Sequence, residues 1–248
     1  MKLWDKAGFT IIETMLFLGI TSLLVLGVLV GTGTSINIQR YRDSVSSLQG
    51  ILQQQYSDVS NVDNNRDNSW ACDSNAKTDP TIPGGGIARG QSDCVILGRL
   101  ITTTDSHSLS IKSVVGYIPL VSTMSSNDID ALRQYTIQIS SVTSESETYD
   151  IEWGSSLVQP SGDIPMVFSM LVLRSPLSGI IRTFIDSASV VDNSNIRDLI
   201  NSVALKQSAK MCVDSNGLFT SARTAIEVMA NSASASGVEV LGEATSGC

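Results

Sequence analysis

Residues 6–30 read KAGFTIIETMLFLGITSLLVLGVLV, and the chain is organised around them. From Phe9 to Val30 there are 22 consecutive residues with one charge among them, Glu13, behind a short leader that carries Lys2 and Lys6. At about 1.5 Å per helical residue such a run reaches roughly 33 Å, enough to cross the ~30 Å hydrocarbon layer of a membrane. The sequence therefore predicts a single membrane span near its start.

Two features make the span specific. Glu13 lies about one helical turn inside the apolar run, where a charge at mid-bilayer costs on the order of 3 kcal/mol on insertion scales and calls for a partner. The run also begins immediately after Gly8, at Lys6-Ala7-Gly8-Phe9. An ordinary secretory signal is cut after its apolar region; here the cut is expected before it, which leaves the helix on the mature chain with a new amine on Phe9.

The order Gly8-Phe9-Thr10-Ile11-Ile12-Glu13 followed by an unbroken apolar helix resembles the class III leader and N-terminal segment of type IV pilins and secretion pseudopilins. The resemblance covers roughly residues 6–60. It implies that a prepilin peptidase cleaves after Gly8 and methylates Phe9. It further implies that Glu13 is the assembly glutamate, pairing with the N-terminal amine of a neighbouring subunit. The partners implied are other pilin subunits, the peptidase and a membrane assembly platform. The implied location is the cytoplasmic membrane for the precursor, then an extracellular pilus or a periplasmic pseudopilus.

The helix is expected to continue. From Ser35 to Asn61 the apolar positions Ile38, Tyr41, Val45, Leu48, Leu52, Tyr56 and Val59 recur three or four apart, while Arg40, Arg42, Asp43, Gln49, Gln53, Gln54 and Asp58 form the other face. This is the stripe of an amphipathic helix with one buried side. A homodimeric coiled coil would show a similar stripe, but the following domain offers a nearer surface. Gly31-Thr32-Gly33-Thr34 marks a place where the helix could bend or unwind. The organisation predicted is a leader at 1–8, a membrane and filament-core helix at 9–31, its amphipathic continuation at 32–61 and an exported globular domain at 62–248.

The expected fold is α+β, a long N-terminal helix packed on an antiparallel sheet. Short apolar or alternating runs predict strands at 95–101, 109–120, 135–139, 149–153, 166–173, 179–185, 211–213, 224–229 and 238–241. The polar stretch Ser140 to Thr148 is read as a turn between the strands of Tyr135, Ile137, Ile139 and of Tyr149, Ile151, Trp153. Helical turns are expected at Asn127–Leu132, capped by Ser125 or Ser126, and after Asp192, Asn193 or Ser194, with Ile196, Leu199, Ile200, Val203 and Ala204 inward. Residues 61–93, rich in Asn, Asp, Gly and Pro, are read as a long loop.

The four cysteines, Cys72, Cys94, Cys212 and Cys248, all follow the span, and an even number on an exported domain fits two disulfides. Three connectivities are open; Cys72 with Cys94 and Cys212 with Cys248 are favoured because each pair encloses a segment poor in regular pattern. Zinc is disfavoured, with no C-x-x-C pair and one histidine, His107. The net charge of -8 becomes -9 once the two lysines and one aspartate of the leader are removed. An acidic surface repels phosphate backbones, so nucleic acid is not an expected partner.

No enzymatic activity and no cofactor are expected. There is no G-x-S-x-G elbow, and Gly84-Gly85-Gly86 lack the Lys-Ser/Thr pair of a phosphate loop. Ser74 and Lys77 match S-x-x-K without companion motifs. Asp63, Asn65 and Asp67 fill the first positions of a calcium loop, but Asn68 and Ser74 stand where glycine and glutamate are needed. Trp70 is read as packing over its loop or, as an exposed aromatic, contacting a ligand or host surface.

Overall fold

The computed structural model describes residues 10–61, 71–79, 92–118, 126–201, 207–216, 223–242 and 247–248. The expectations for Gly8, Phe9, Asp63, Asn65, Asp67, Asn68, Trp70, Gly84 to Gly86, Val203 and Ala204 lie outside these residues.

One helix, α1, runs from Ile11 to Ser60, 50 residues, and passes through Gly31-Thr32-Gly33-Thr34 as continuous helix. Thr32 Oγ1 donates to the Val28 carbonyl at 3.0 Å, and Thr34 Oγ1 and Ser35 Oγ both donate to the Gly31 carbonyl at 3.0 Å. These bonds fold the hydroxyls back onto the helix, where they need no other partner. The stripe resolves into an exposed and a buried part. Ile38 is exposed, whereas Tyr41, Ser44, Val45, Leu48, Leu52, Gln55, Tyr56 and Val59 are buried.

A two-residue ladder follows, β1 (Ala71–Cys72) with β2 (Thr78–Asp79). The long hairpin of β3 (Cys94–Thr103) and β4 (Ser108–Tyr117) then begins the main sheet. Helix α2 (Asp128–Gln134) leads to β5 (Thr136–Ile139), and β6 (Ser146–Asp150) and β7 (Ser156–Val158) come next. The hairpin of β8 (Ser169–Arg174) and β9 (Ile181–Asp186) precedes helix α3 (Ile196–Asn201). The chain closes with β10 (Ala209–Asp214), β11 (Arg223–Val228) and β12 (Val238–Leu241).

The long helix packs on antiparallel sheet, so the α+β architecture expected from the sequence is borne out, but as two main sheets. Six strands form one, ordered β5-β4-β3-β8-β9 with β6 also on β4, and four form the other, ordered β12-β11-β10-β7. The buried face of α1 lies against both, sharing a core with Ile101, Ile111, Met170 and Val172 of the larger sheet and Met211, Val213, Ile226 and Val228 of the smaller. The other face of the larger sheet is covered by α2 and α3, where Leu132, Ile196, Leu199 and Ile200 meet Leu100, Leu171, Leu173 and Phe184. Burial on both faces explains why β8 reads as the continuous run Met170-Leu171-Val172-Leu173 instead of alternating.

Three local expectations are corrected. β5 and β6 do not pair with each other: β5 lies on Val114–Tyr117 and β6 on Ser108–Lys112, end to end along one edge of β4. β4 is ten residues long, and two short strands in series satisfy its edge where a separate hairpin would leave half of it open. The second strand also ends at Asp150, since Trp153 sits in a 3-10 turn (Glu152–Gly154) with φ 58° and ψ 24°. The N-cap of α2 is Asn127, whose side-chain oxygen accepts from Asp130 N at 2.9 Å, one residue later than expected.

Disulfides join Cys72 to Cys94 and Cys212 to Cys248, with Cα separations of 6.2 and 5.9 Å. The first ties the start of β3 to the small ladder; the second ties Cys248 to β10, one of the two inner strands of the smaller sheet. In the chain-entropy picture, loops of these lengths stabilise by about 3 to 4 kcal/mol each.

Candidate functional site

The chain's unusual surface is the first part of α1. No described residue before Tyr41 is buried, and the exposed side chains include Ile11 at 76%, Leu23 at 73% and Val30 at 68%. Residues 11–40, 30 in number, extend about 45 Å at 1.5 Å each. The apolar part, Ile11 to Val30, is an exposed rod about 30 Å long, stable in lipid or among other apolar helices and not in water. Its hydroxyls suit such surroundings. Thr14 Oγ1 donates to the Ile11 carbonyl at 2.9 Å and Thr21 Oγ1 to the Phe17 carbonyl at 2.9 Å, so these groups are satisfied without solvent. The helix supports a single-pass, membrane-anchored topology.

Glu13 stands in the first turn. Its Oε2 accepts from Thr10 N at 3.0 Å and from Thr10 Oγ1 at 3.1 Å, and Glu13 N donates to Thr10 Oγ1 at 3.3 Å. This reciprocal capping box satisfies two backbone donors that have no partner within the helix. Such donors are expensive to leave bare in a low-dielectric setting, so Glu13 has a local task independent of any neighbouring subunit. The sequence carries the signal for this cap, Thr10-x-x-Glu13 ahead of an apolar run.

The other end of the helix is held firmly. Tyr41 donates through its hydroxyl to the Val213 carbonyl at 2.8 Å, and Tyr149 donates to Ser47 Oγ at 3.0 Å, which in turn donates to Glu152 Oε1 at 3.1 Å. Gln49 and Gln53 both donate to the Val238 carbonyl, at 3.2 and 3.0 Å, on the edge of β12. The hydroxyls of Tyr56 and Thr183 lie 3.0 Å apart, and Thr183 Oγ1 donates to the Ser232 carbonyl at 2.8 Å. Burial pushes the Tyr41 and Tyr56 hydroxyls above the ordinary tyrosine range, because the charged form is disfavoured away from water. Polar ties at both edges and Leu48 and Leu52 at 0% exposure between them fix the helix's depth and rotation in the domain.

The sequence places Trp153 in a strand and Arg40 on the polar face of the helix, with no sign of a link between them. The Arg40 guanidinium carbon lies 4.9 Å from the centre of the Trp153 ring, at the point where α1 enters the domain. Trp153 is 47% exposed, so the stack covers one face of the ring and leaves much of the rest open.

The remaining candidates stand apart from one another. Ser74 and Lys77 are both exposed beside the β1–β2 turn, where Asp73 Oδ1 accepts from Asn75 N and Lys77 N at 2.9 Å each. His107 is exposed, with Nδ1 3.2 Å from the Ser155 carbonyl. Among the described residues no three His, Cys, Asp or Glu side chains converge as a metal-holding group.

Comparison of the chain with protein-family models, with curated proteins and with solved structures gave no match. The likeness to pilins therefore rests on the motif of residues 8–13 and on an architecture that is pilin-like in general.

Proposed function

We propose that the chain is a structural subunit of a type IV filament, held in a membrane by the apolar half of α1 and then polymerised through that same half. The observation that carries this reading is one unbroken helix in which no described residue before Tyr41 is buried while the rest is locked into a folded domain. Such a part can pass from lipid into a bundle of like helices without refolding. Gly8 is the processing position, Phe9 the methylated terminus and Glu13 the residue that pairs with a neighbour's amine. An unpaired charge inside a helix bundle is costly, so that pairing fixes register. The long mature chain suits a minor or tip subunit, in a pilus or a secretion pseudopilus, with a scaffolding role and no catalysis.

Replacing Glu13 with Ala tests the reading. Expected is normal membrane insertion with loss of incorporation into filaments, and mass spectrometry of the wild-type mature chain should find a methylated Phe9 at its N-terminus. Normal incorporation of the variant removes the role of Glu13, and an intact leader on the exported chain overturns the family reading.

A further inference from the structure

The length of the bare helix sets where the domain sits. Glu13 and Arg40 are 27 residues apart with no charge between them, which is about 40 Å of helix. A bilayer with its headgroup layers is about 40–45 Å thick. With Glu13 in the inner headgroup layer, Arg40 falls in the outer one, and Tyr41, the first buried residue of α1, begins the domain directly above it.

Trp153 is presented at that level. Its turn is pinned on both sides: Ile151 N donates to the His107 carbonyl at 2.8 Å, and Asn216 Nδ2 to the Gly154 carbonyl at 3.3 Å. The left-handed backbone at Trp153 is uncommon for a bulky residue, and such conformations persist where surrounding structure enforces them. The ring rests on Arg40, and Ile36, 49% exposed and one helical turn before Arg40 on the same side, carries an apolar surface down the helix towards the span. Tryptophan is enriched at the membrane interface because its body is apolar and its indole N–H is polar.

We propose that Trp153, stacked on Arg40, rests in the outer phospholipid headgroup layer and seats the domain on the membrane before assembly. The proposal rests on the apolar first part of α1 spanning that membrane. The occupant is phospholipid, because this face is continuous with the span. Charge does not dominate the contact: beside Arg40 and Arg42 this end also carries Asp43, Asp105, Glu152, Asp163 and Asp214, of which Asp163 and Asp214 both pair with Arg223. The tryptophan supplies the contact and the arginine holds its ring.

The test uses the full chain with Trp4→Phe and Trp70→Phe, which leaves Trp153 as the sole tryptophan. It is reconstituted in phosphatidylethanolamine–phosphatidylglycerol vesicles carrying a nitroxide lipid labelled either at the headgroup or near the chain end. Expected is stronger quenching of Trp153 by the headgroup label than by the chain-end label, low access to aqueous acrylamide, and a loss of headgroup quenching on adding Arg40→Gln. If the vesicles float with the chain but Trp153 is quenched by acrylamide and by neither lipid label, the proposal falls while the membrane anchor stands. Unchanged quenching in the Arg40→Gln chain removes the role of the stack. If the chain does not float with vesicles, the anchor reading fails and takes the proposal with it.

Discussion

The hydroxyl of Tyr41 donates to the carbonyl of Val213 at 2.8 Å, joining the helix to the smaller sheet at the residue where α1 changes from bare to buried. Both groups are out of water, with Tyr41 at 5% and Val213 at 0% exposure. Tyr41→Phe keeps the packing of the ring and removes this donor to a buried carbonyl. The expected loss of stability is about 1–3 kcal/mol, seen as a lower midpoint in thermal unfolding of the full chain in detergent. The apolar half of the helix has no part in the contact, so membrane insertion of the variant should be unchanged.

Gly98 is a second test of packing, because it marks a close approach. β3 carries an extra residue at Leu97, between the pairs Ile96–Val115 and Gly98–Val114, and a side-chain carbon on Gly98 would stand 1.9 Å from the Val172 carbonyl oxygen. Gly98→Ala must push β3 from β8 in the middle of the larger sheet, with an expected loss of about 3 kcal/mol or more. Gly50 lies on the exposed side of α1 with nothing within 4 Å of such a carbon. Gly50→Ala should instead stabilise by about 0.5–1 kcal/mol. Opposite shifts in the unfolding midpoint are the expected result; equal behaviour would contradict the close approach of β3 to β8 at Gly98.

The long-range plan was legible where period and burial agree. The stripe from Tyr41 to Val59 gave the buried face of α1 because its apolar residues share one core with the sheets, and the runs at β8, β9, β10 and β11 were bounded clearly enough to read as strands. Other features depended on partners distant in sequence. Whether β5 and β6 pair with each other or share β4 turns on which edge is open, and Tyr149, Ile151 and Trp153 alternate as a strand would although the chain turns after Asp150. The stack of Arg40 on Trp153 spans more than a hundred positions, and neither residue announces it locally. The division into two sheets was equally hidden, since alternation shows that a strand has a buried face and not which core receives it.

Asp128 gives the domain an acid-sensitive joint. Its Oδ1 accepts from Ser178 Oγ at 2.6 Å and Ser175 Oγ at 2.7 Å, and its Oδ2 from Arg182 at 3.1 Å, tying α2 to the β8–β9 turn. The Ser178 hydroxyl first, then Ser175 and the Arg182 guanidinium, hold this carboxyl below the ordinary aspartate range. A folded-state value below the unfolded one, about 3.9, means that folding favours the carboxylate. The contribution is therefore complete above the unfolded value and is lost as pH falls through the folded one. Asp128→Asn should lower stability at neutral pH, and the gap to wild type should narrow as pH drops below about 4, because the wild-type carboxyl is then protonated too. Unfolding midpoints measured from pH 7 down to the acid limit check this. A gap that stays constant across the range would show that Asp128 contributes through shape alone and that its charge has no share in holding α2 to the turn.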